Sequence, residues 1–347
     1  MIPQEKCAAV TRALHEAFGV SEFEDIQPIT KGHTSSLVFR IVVRGRPYLL
    51  KIITRTDDPT RHYECMKAAA EAGIAPRVRY ACVEDRTSVT DFVEAAPFPA
   101  GDALRRLPAT LRALHALPRF PGIPSHINTT CTFLMHQGPA LDALIQRVKT
   151  GNFLPAGGAE ELFARFDEVA GVYPHSDPDL VSSHNDLFKP DNMLFDGRHL
   201  WLVDWEAAFA NDRYAELAVV ANLLVSNEDE EKIFLREYFG GEPDACQTAR
   251  FVLMQQLAHM FYAMVFLMLG SPLDPAERVP EFGDFRRRVW AGEVDLADRP
   301  AKTIYGRMHW EEFLRGTRHP RYAQALRTVA AGRPSGDPAL PPGIVTK

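Results

Sequence analysis

SSHNDLFKPDNMLFDGRHLWLVDWEAA, Ser182 to Ala208, sets His184, Asp186, Lys189, Asp191, Asn192, Asp204 and Glu206 around the hydrophobic runs MLF and LWLV. Polar side chains so placed are either solvated in turns or gathered where a core opens, and their order decides which. An Asp, an Asn a few residues on, and an apolar strand ending in a second Asp suit phosphoryl transfer. One carboxylate (Asp186) orients an attacking hydroxyl and takes its proton. An amide (Asn192) and a second carboxylate (Asp204) hold magnesium against the phosphates. Asp196-Gly197 is a turn signal between short apolar runs, so the stretch reads as a β-hairpin whose open end brings Asn192 and Asp204 together.

Upstream the texture is that of a small sheet. Val10, Leu14 and Phe18 recur at helical spacing over 8–18. SLVFRIVV and PYLLKII are β-branched and apolar runs separated by RGRP, which predicts a hairpin. DPTRHYECMKAAAEAG predicts a helix with Asp57 or Asp58 as its cap, Pro59 near its first position and Gly73 as its stop. RVRYACVED and TSVTDFV add two strands. EAAPFPAG, Glu94 to Gly101, is a boundary rich in proline and small residues. Beyond it the pattern is helical over 103–117, 140–149, 159–172 and from Tyr214 onward. The stretch 336–347 carries too much Pro and Gly to pack. The division expected is an N-terminal lobe over 1–94, a mainly helical lobe over 95–335 and a flexible tail.

Composition narrows the field. A chain of 347 residues exceeds what one core needs, which favours two lobes. The net charge of −6 gives no general attraction for nucleic acid, so an anionic ligand requires a local site. Cys7, Cys65, Cys82, Cys131 and Cys246 are scattered without a CxxC pair and read as reduced thiols of a cytoplasmic protein. The opening stretch carries Lys, Glu and His through its apolar positions, unlike a secretory leader. Phe251 to Gly270 is the most apolar window, but Gln255, Gln256 and His259 interrupt it, and a buried helix is expected rather than a membrane span.

HNDLFKPDNMLFDG and LWLVDWE resemble the catalytic and metal-binding segments of the aminoglycoside phosphotransferase and choline kinase superfamily, relatives of the protein kinases. LRALHALP (111–118) and AGIAPRV (72–78) resemble further family segments, in the family's order. The resemblance implies an α+β, bilobal, protein-kinase-like fold. It also implies an ATP- and magnesium-dependent enzyme that phosphorylates a hydroxyl of a small acceptor. ITKGHTSSLVFRI would cover the phosphates with Gly32 and Ser35, and Lys51 on the next strand would grip them. Glu64 is the expected acidic partner of Lys51, with His62 the alternative at that position. Phe92, Val93 and Glu94 resemble the hinge that binds adenine through its backbone. His184 resembles the histidine that braces the catalytic loop, and Asp212 a helix cap or loop brace.

Two departures from the family pattern stand out. The metal-binding Asn usually lies five residues after the catalytic Asp; here position five is Asp191 and Asn192 is at six, so either residue fits the role. Asp-Trp-Glu replaces the protein-kinase Asp-x-Gly, and a helical pattern starts soon after Asp204 with no Ala-Pro-Glu, which argues against a peptide substrate. Glu206 and Tyr262 are the candidate acceptor residues. Of two late-helix positions that often carry rings in choline kinases, this chain has Tyr262 and Val265. The acceptor class stays open between a choline- or ethanolamine-like amine and an aminoglycoside or sugar. A catalytically silent nucleotide-binding relative and an atypical protein kinase are the alternatives.

Overall fold

The computed structural model describes residues 2–29, 36–121, 146–151, 153–154, 157–174, 180–270 and 279–332. Gly32 and Ser35, most of the helix expected over 140–149, and the 336–347 tail lie outside the described residues.

Helix α1 (Cys7–Phe18) precedes strands β1 (Asp25–Pro28), β2 (Ser36–Val43) and β3 (Arg46–Ile53). Helix α2 (Thr60–Glu71) then leads to β4 (Val78–Cys82) and β5 (Thr87–Asp91). The strands form one antiparallel sheet in the order β1-β2-β3-β5-β4. The β2–β3 turn is Arg44-Gly45, both at positive φ (52° and 69°), a geometry whose twist matches the flanking strands. Strand alternation sorts the faces. Phe39, Ile41, Val43, Tyr48, Leu50 and Ile52 pack with Val10, Ala13 and Leu14 of α1 in one core. Lys51 and Ile53 therefore point to the other face, toward α2 and the rest of the molecule. Asp58 accepts from the Thr60 amide and hydroxyl just ahead of α2, but the capping position expected at Asp57 or Asp58 falls to Pro59, which has no side-chain hydrogen bond to give; Gly73 (φ 72°) follows the helix end.

The mainly helical region begins with α3 (Ala100–His115) and α4 (Gly158–Val172). Strands β6 (Leu180–Ser183), β7 (Met193–Phe195), β8 (Leu200–Leu202) and β9 (Phe209–Asp212) interrupt it. It continues through α5 (Arg213–Leu224), α6 (Glu228–Phe239), α7 (Ala245–Leu269), α8 (Phe282–Trp290), α9 (Arg299–Arg318) and α10 (Pro320–Ala331). Helix α7 starts six residues before the apolar window because Asp244 and Gln247 form a capping box there. Among the described residues it is long and apolar enough to cross a membrane. Here it is the central helix of the larger core, against α5, α9 and α10. A helix apolar on all sides needs such surroundings.

Candidate active site

Two short ladders build the site. Strand β6 pairs antiparallel with β9, Leu180 opposite Asp212 through Ser183 opposite Phe209, and it delivers His184, Asn185 and Asp186 in succession. The hairpin β7–β8 pairs Met193 with Leu202, and the Val203 amide donates to the Asn192 carbonyl (3.0 Å), which draws Asn192 and the 203–204 backbone together. Its turn is fixed by Asp196, whose carboxylate accepts from the Arg198 and His199 amides and from Trp201 Nε1.

The loop carrying Asp186 is braced from below. His184 is fully buried, bonds the Val203 carbonyl through Nε2 (2.8 Å) and packs on Trp205. Asn185 has φ 65° and is held on several sides. Its amide donates to Glu216 Oε1 (2.7 Å), its side-chain nitrogen donates to the Ser183, Ala207 and Phe209 carbonyls, and its side-chain oxygen accepts from Asn211. Glu216 meets His115 Nε2 (2.9 Å), and His115 Nδ1 meets the Tyr238 hydroxyl (2.7 Å). Asp212 caps α5 by accepting from the Tyr214 amide (2.8 Å), so both Asp212 and Glu216 are buried framework.

Asp186 accepts from Asn192 Nδ2 (2.8 Å), which also reaches the Asp186 carbonyl (2.7 Å), and Lys189 lies 3.6 Å away. With its nitrogen committed, the Asn192 amide offers its oxygen as a ligand atom. Burial raises the Asp186 pKa, partly offset by Lys189 and His184. Asp191 lies beside this arrangement and is exposed, so Asn192 is the residue brought to Asp186. Asp204 occupies the left-handed region (φ 68°), a strained setting for a non-glycine residue. Burial alone would raise its pKa, but the Lys51 ammonium at 2.8 Å prevails and holds it at about 2.

Lys51 corrects one expectation. Its Nζ lies 2.8 Å from Asp204 and 2.7 Å from Glu206 Oε1, while Glu64 is exposed on α2. At 3.6 residues per turn, Glu64 is about 200° around the helix from the buried His62, so only one of the two can face inward. Glu206 is corrected as well. It meets Lys51, Arg55 (2.9 Å) and the Ser36 hydroxyl (3.3 Å), and it is not among the described residues that line the aromatic cavity below. Phe92 and Val93 are half-buried in the connector after β5, Glu94 is exposed, and Arg40 spans the Phe92 ring and the Glu94 carboxylate.

A cavity of about 760 Å³ opens beside Asp186. Its walls include Phe188, Phe261, Tyr262, Val265, Phe266 and Trp290. Tyr262 is the ring that the sequence leads one to expect here; Phe188 and Phe266, in ring contact with it at 5.4 and 5.9 Å, are additions to it. Phe266 lies four residues after Tyr262, and that helical spacing is the signal that could have found it. Among the described residues the charged groups on the lining nearly balance: Asp186, Asp191 and Asp295 against Lys189 and Lys302.

A five-stranded antiparallel sheet over a mainly helical region, with a buried lysine and two aspartates at their junction, defines a kinase-like phosphotransferase. The sequence pattern of the phosphotransferase enzyme family matches residues 25–247, most of the chain, and the protein belongs to that family. A Mycoplasma capricolum subsp. capricolum protein called a LicA homolog is 38% identical over 72 residues. That match covers 21% of this chain and 28% of the relative, so the chain spans under a third of the curated relative's length. A choline/ethanolamine kinase family protein from Mesorhizobium loti shares the fold at a TM-score of 0.64, with 18% identity over 94% of this chain and all of the other. A choline kinase from Cryptosporidium parvum Iowa II superposes at 0.58, with 11% identity, covering 88% of this chain and 92% of the other. A streptomycin–ATP complex of the phosphotransferase APH(2")-IIa superposes at 0.53, with 14% identity, covering 88% and 99%.

Proposed function

We propose that the chain is a cytoplasmic, ATP- and magnesium-dependent kinase that phosphorylates a hydroxyl of a small acceptor bearing a single amine or ammonium head, as choline and ethanolamine do. The observation that carries this reading is the aromatic cavity against Asp186. Ring faces attract a cationic head while the apolar wall accepts its methyl and methylene groups. An aminoglycoside, with several cationic amines, asks for a large excess of carboxylates, and the lining among the described residues is nearly balanced.

In this reading Asp186 receives the acceptor hydroxyl, orients it in line with the γ-phosphate and takes its proton; a pKa raised by burial suits that task. Lys51 holds the α- and β-phosphates. The Phe92–Glu94 backbone meets adenine, and Gly32 and Ser35 would lie over the phosphates. The Asn192 amide oxygen and the Asp204 carboxylate fit magnesium, a hard cation that takes one or two protein oxygens beside those of the nucleotide, and the ion would neutralise phosphate charge. Everything else is positioning by a rigid frame, and no covalent phosphoenzyme is involved.

The test is coupled ADP release with ATP and magnesium against choline, ethanolamine, an aminoglycoside and a sugar, beside Asp186→Asn. The expected result is turnover with an amine alcohol that falls about 10²–10⁴-fold in the variant while ADP binding persists. Turnover restricted to the aminoglycoside or the sugar would overturn the acceptor assignment. Equal rates in the variant would overturn the role of Asp186.

A further inference from the structure

The sheet's phosphate-side lysine takes its carboxylate from an unusual direction. Lys51 is 8% exposed and lies on the β3 face opposite Leu50 and Ile52. An ammonium at such depth needs a permanent counter-charge, because desolvation otherwise favours its neutral form. Helix α2, which packs over that face, presents His62, Met66 and Ala69 inward and turns Glu64 out to solvent. His62 cannot serve. Burial and then the Lys51 charge hold its pKa at about 3, so it stands neutral, and its Nδ1 is buried without a hydrogen-bond partner among the described residues.

Two carboxylates remain, and they are not equivalent. Asp204 sits 2.8 Å from Lys51 but belongs to the pair that fits the metal. A carboxylate drawn to a cation gives up part of its hold on the lysine. Glu206 has a different set of neighbours: Lys51 on Oε1 (2.7 Å), Arg55 on Oε2 (2.9 Å) and the Ser36 hydroxyl on Oε1 (3.3 Å). Its side chain is 17% exposed, and its backbone carbonyl accepts from Arg61 of α2 (3.3 Å). Both carboxylate oxygens thus face cations of β3 and the residues just after it, and the β2 hydroxyl closes the arrangement. Such a carboxylate is engaged by protein groups on both oxygens.

We infer that Glu206 is a positioning residue for the nucleotide: it fixes the Lys51 ammonium, together with Arg55, at the place where the α- and β-phosphates bind, in the role that the sequence pattern assigns to Glu64. This rests on the ATP-dependent reading above. The clamp crosses from the metal-side turn of the helical region to the sheet, so the lysine is aimed by the same turn that carries Asp204. From helix α2, Arg61 reaches the carbonyls of Glu206 and Ala208, and the Cys65 thiol also donates to the Ala208 carbonyl (3.8 Å).

The experiment separates this role from metal binding and from plain structure. ADP binding is measured by calorimetry on the full chain, with EDTA and with magnesium, for wild type, Glu206→Gln, Glu206→Asp and the double variant His62→Glu/Glu206→Gln. The expected result is about tenfold weaker ADP binding by Glu206→Gln in EDTA, equivalent to about 1.4 kcal/mol, with a parallel rise in KM for ATP and kcat within about threefold. Glu206→Asp keeps the charge but draws the carboxylate back by one bond, about 1.5 Å, and loses about threefold. The double variant supplies a carboxylate from α2 in place of the lost one and recovers at least a third of the affinity. Should Glu206→Gln fold poorly, as its melting point would report, Glu206→Asp carries the test. ADP affinities equal to wild type in EDTA overturn the inference, and a deficit seen only with magnesium assigns Glu206 to the metal instead. No ADP binding by the wild type under either condition would refute the nucleotide reading itself, a separate result.

Discussion

Replacing Asp212 removes three things at once. Its Oδ1 caps α5 at the Tyr214 amide, and its Oδ2 accepts from the Tyr173 hydroxyl and from Arg250, both at 2.9 Å. The Arg250 and Asp212 side chains are 9% and 4% exposed, and the guanidinium lies over the rings of Tyr173 and Tyr214. Loss of a cap costs about 1 kcal/mol, and stripping a buried ion of its partner costs about 3–5 kcal/mol. Asp212→Ala should therefore destabilise by about 5 kcal/mol, a third or more of the stability of an ordinary domain. Asp212→Asn keeps the cap and should cost about 3 kcal/mol. Arg250→Met also leaves one buried charge without this counter-ion, yet Asp212→Asn/Arg250→Met removes both charges, and its cost should fall at least about 2 kcal/mol short of the two single costs added together. Urea unfolding followed by circular dichroism and by tryptophan fluorescence measures each protein, coincident curves licensing the two-state treatment. Single costs below about 1 kcal/mol, or strict additivity, would contradict the claim that this pair anchors β9 and, through it, the strand that delivers Asp186.

Two further outcomes concern other parts of the molecule. Arg12, with Tyr80 and Cys82, holds Asp85 at a pKa of about 2 although partial burial opposes it, and this ties α1 to the β4–β5 turn. An unfolded aspartate titrates near 3.9, so the stabilisation is complete above about pH 5 and vanishes as pH falls toward about 2. Wild type should accordingly exceed Asp85→Asn in urea midpoint at about pH 7, with the gap roughly halved at about pH 3 and closing as pH falls through about 2; a gap constant with pH would count against the assignment. Tyr262→Ala removes a ring from the acceptor cavity and should raise acceptor KM by about tenfold, with KM for ATP unchanged; an equal effect on both would place Tyr262 in the frame rather than the pocket.

Local signals in the sequence carry local structure well. Arg44-Gly45 and Asp196-Gly197 turn their hairpins where expected, and the order Asp186, Asn192, Asp204 is legible because the β7–β8 ladder is short and closed by its own turn. The partner of Lys51 is not legible. Strand and helix periodicity say which face of β3 or α2 is buried, but nothing within either element says that a residue as far downstream as Glu206 will meet that face. The β6–β9 pairing is hidden for a similar reason, since each strand is four residues long and they are joined through the whole catalytic segment. The chain from Asn185 through Glu216 to His115 and Tyr238 is also out of reach, because a buried Glu on a helix reads in sequence like any surface Glu.

Trp290 has a consequence for the order of events in turnover. Its indole nitrogen donates to the Phe98 carbonyl at 2.7 Å and its ring meets that of Phe98, while Phe98 stacks on Phe195 of the metal-side hairpin. The connector between sheet and helices is thereby fastened to one wall of the acceptor chamber. A rotation of the sheet about that connector would be carried to the cavity wall through Phe98 and Trp290. On the proposed function, nucleotide and acceptor binding would be coupled through this contact.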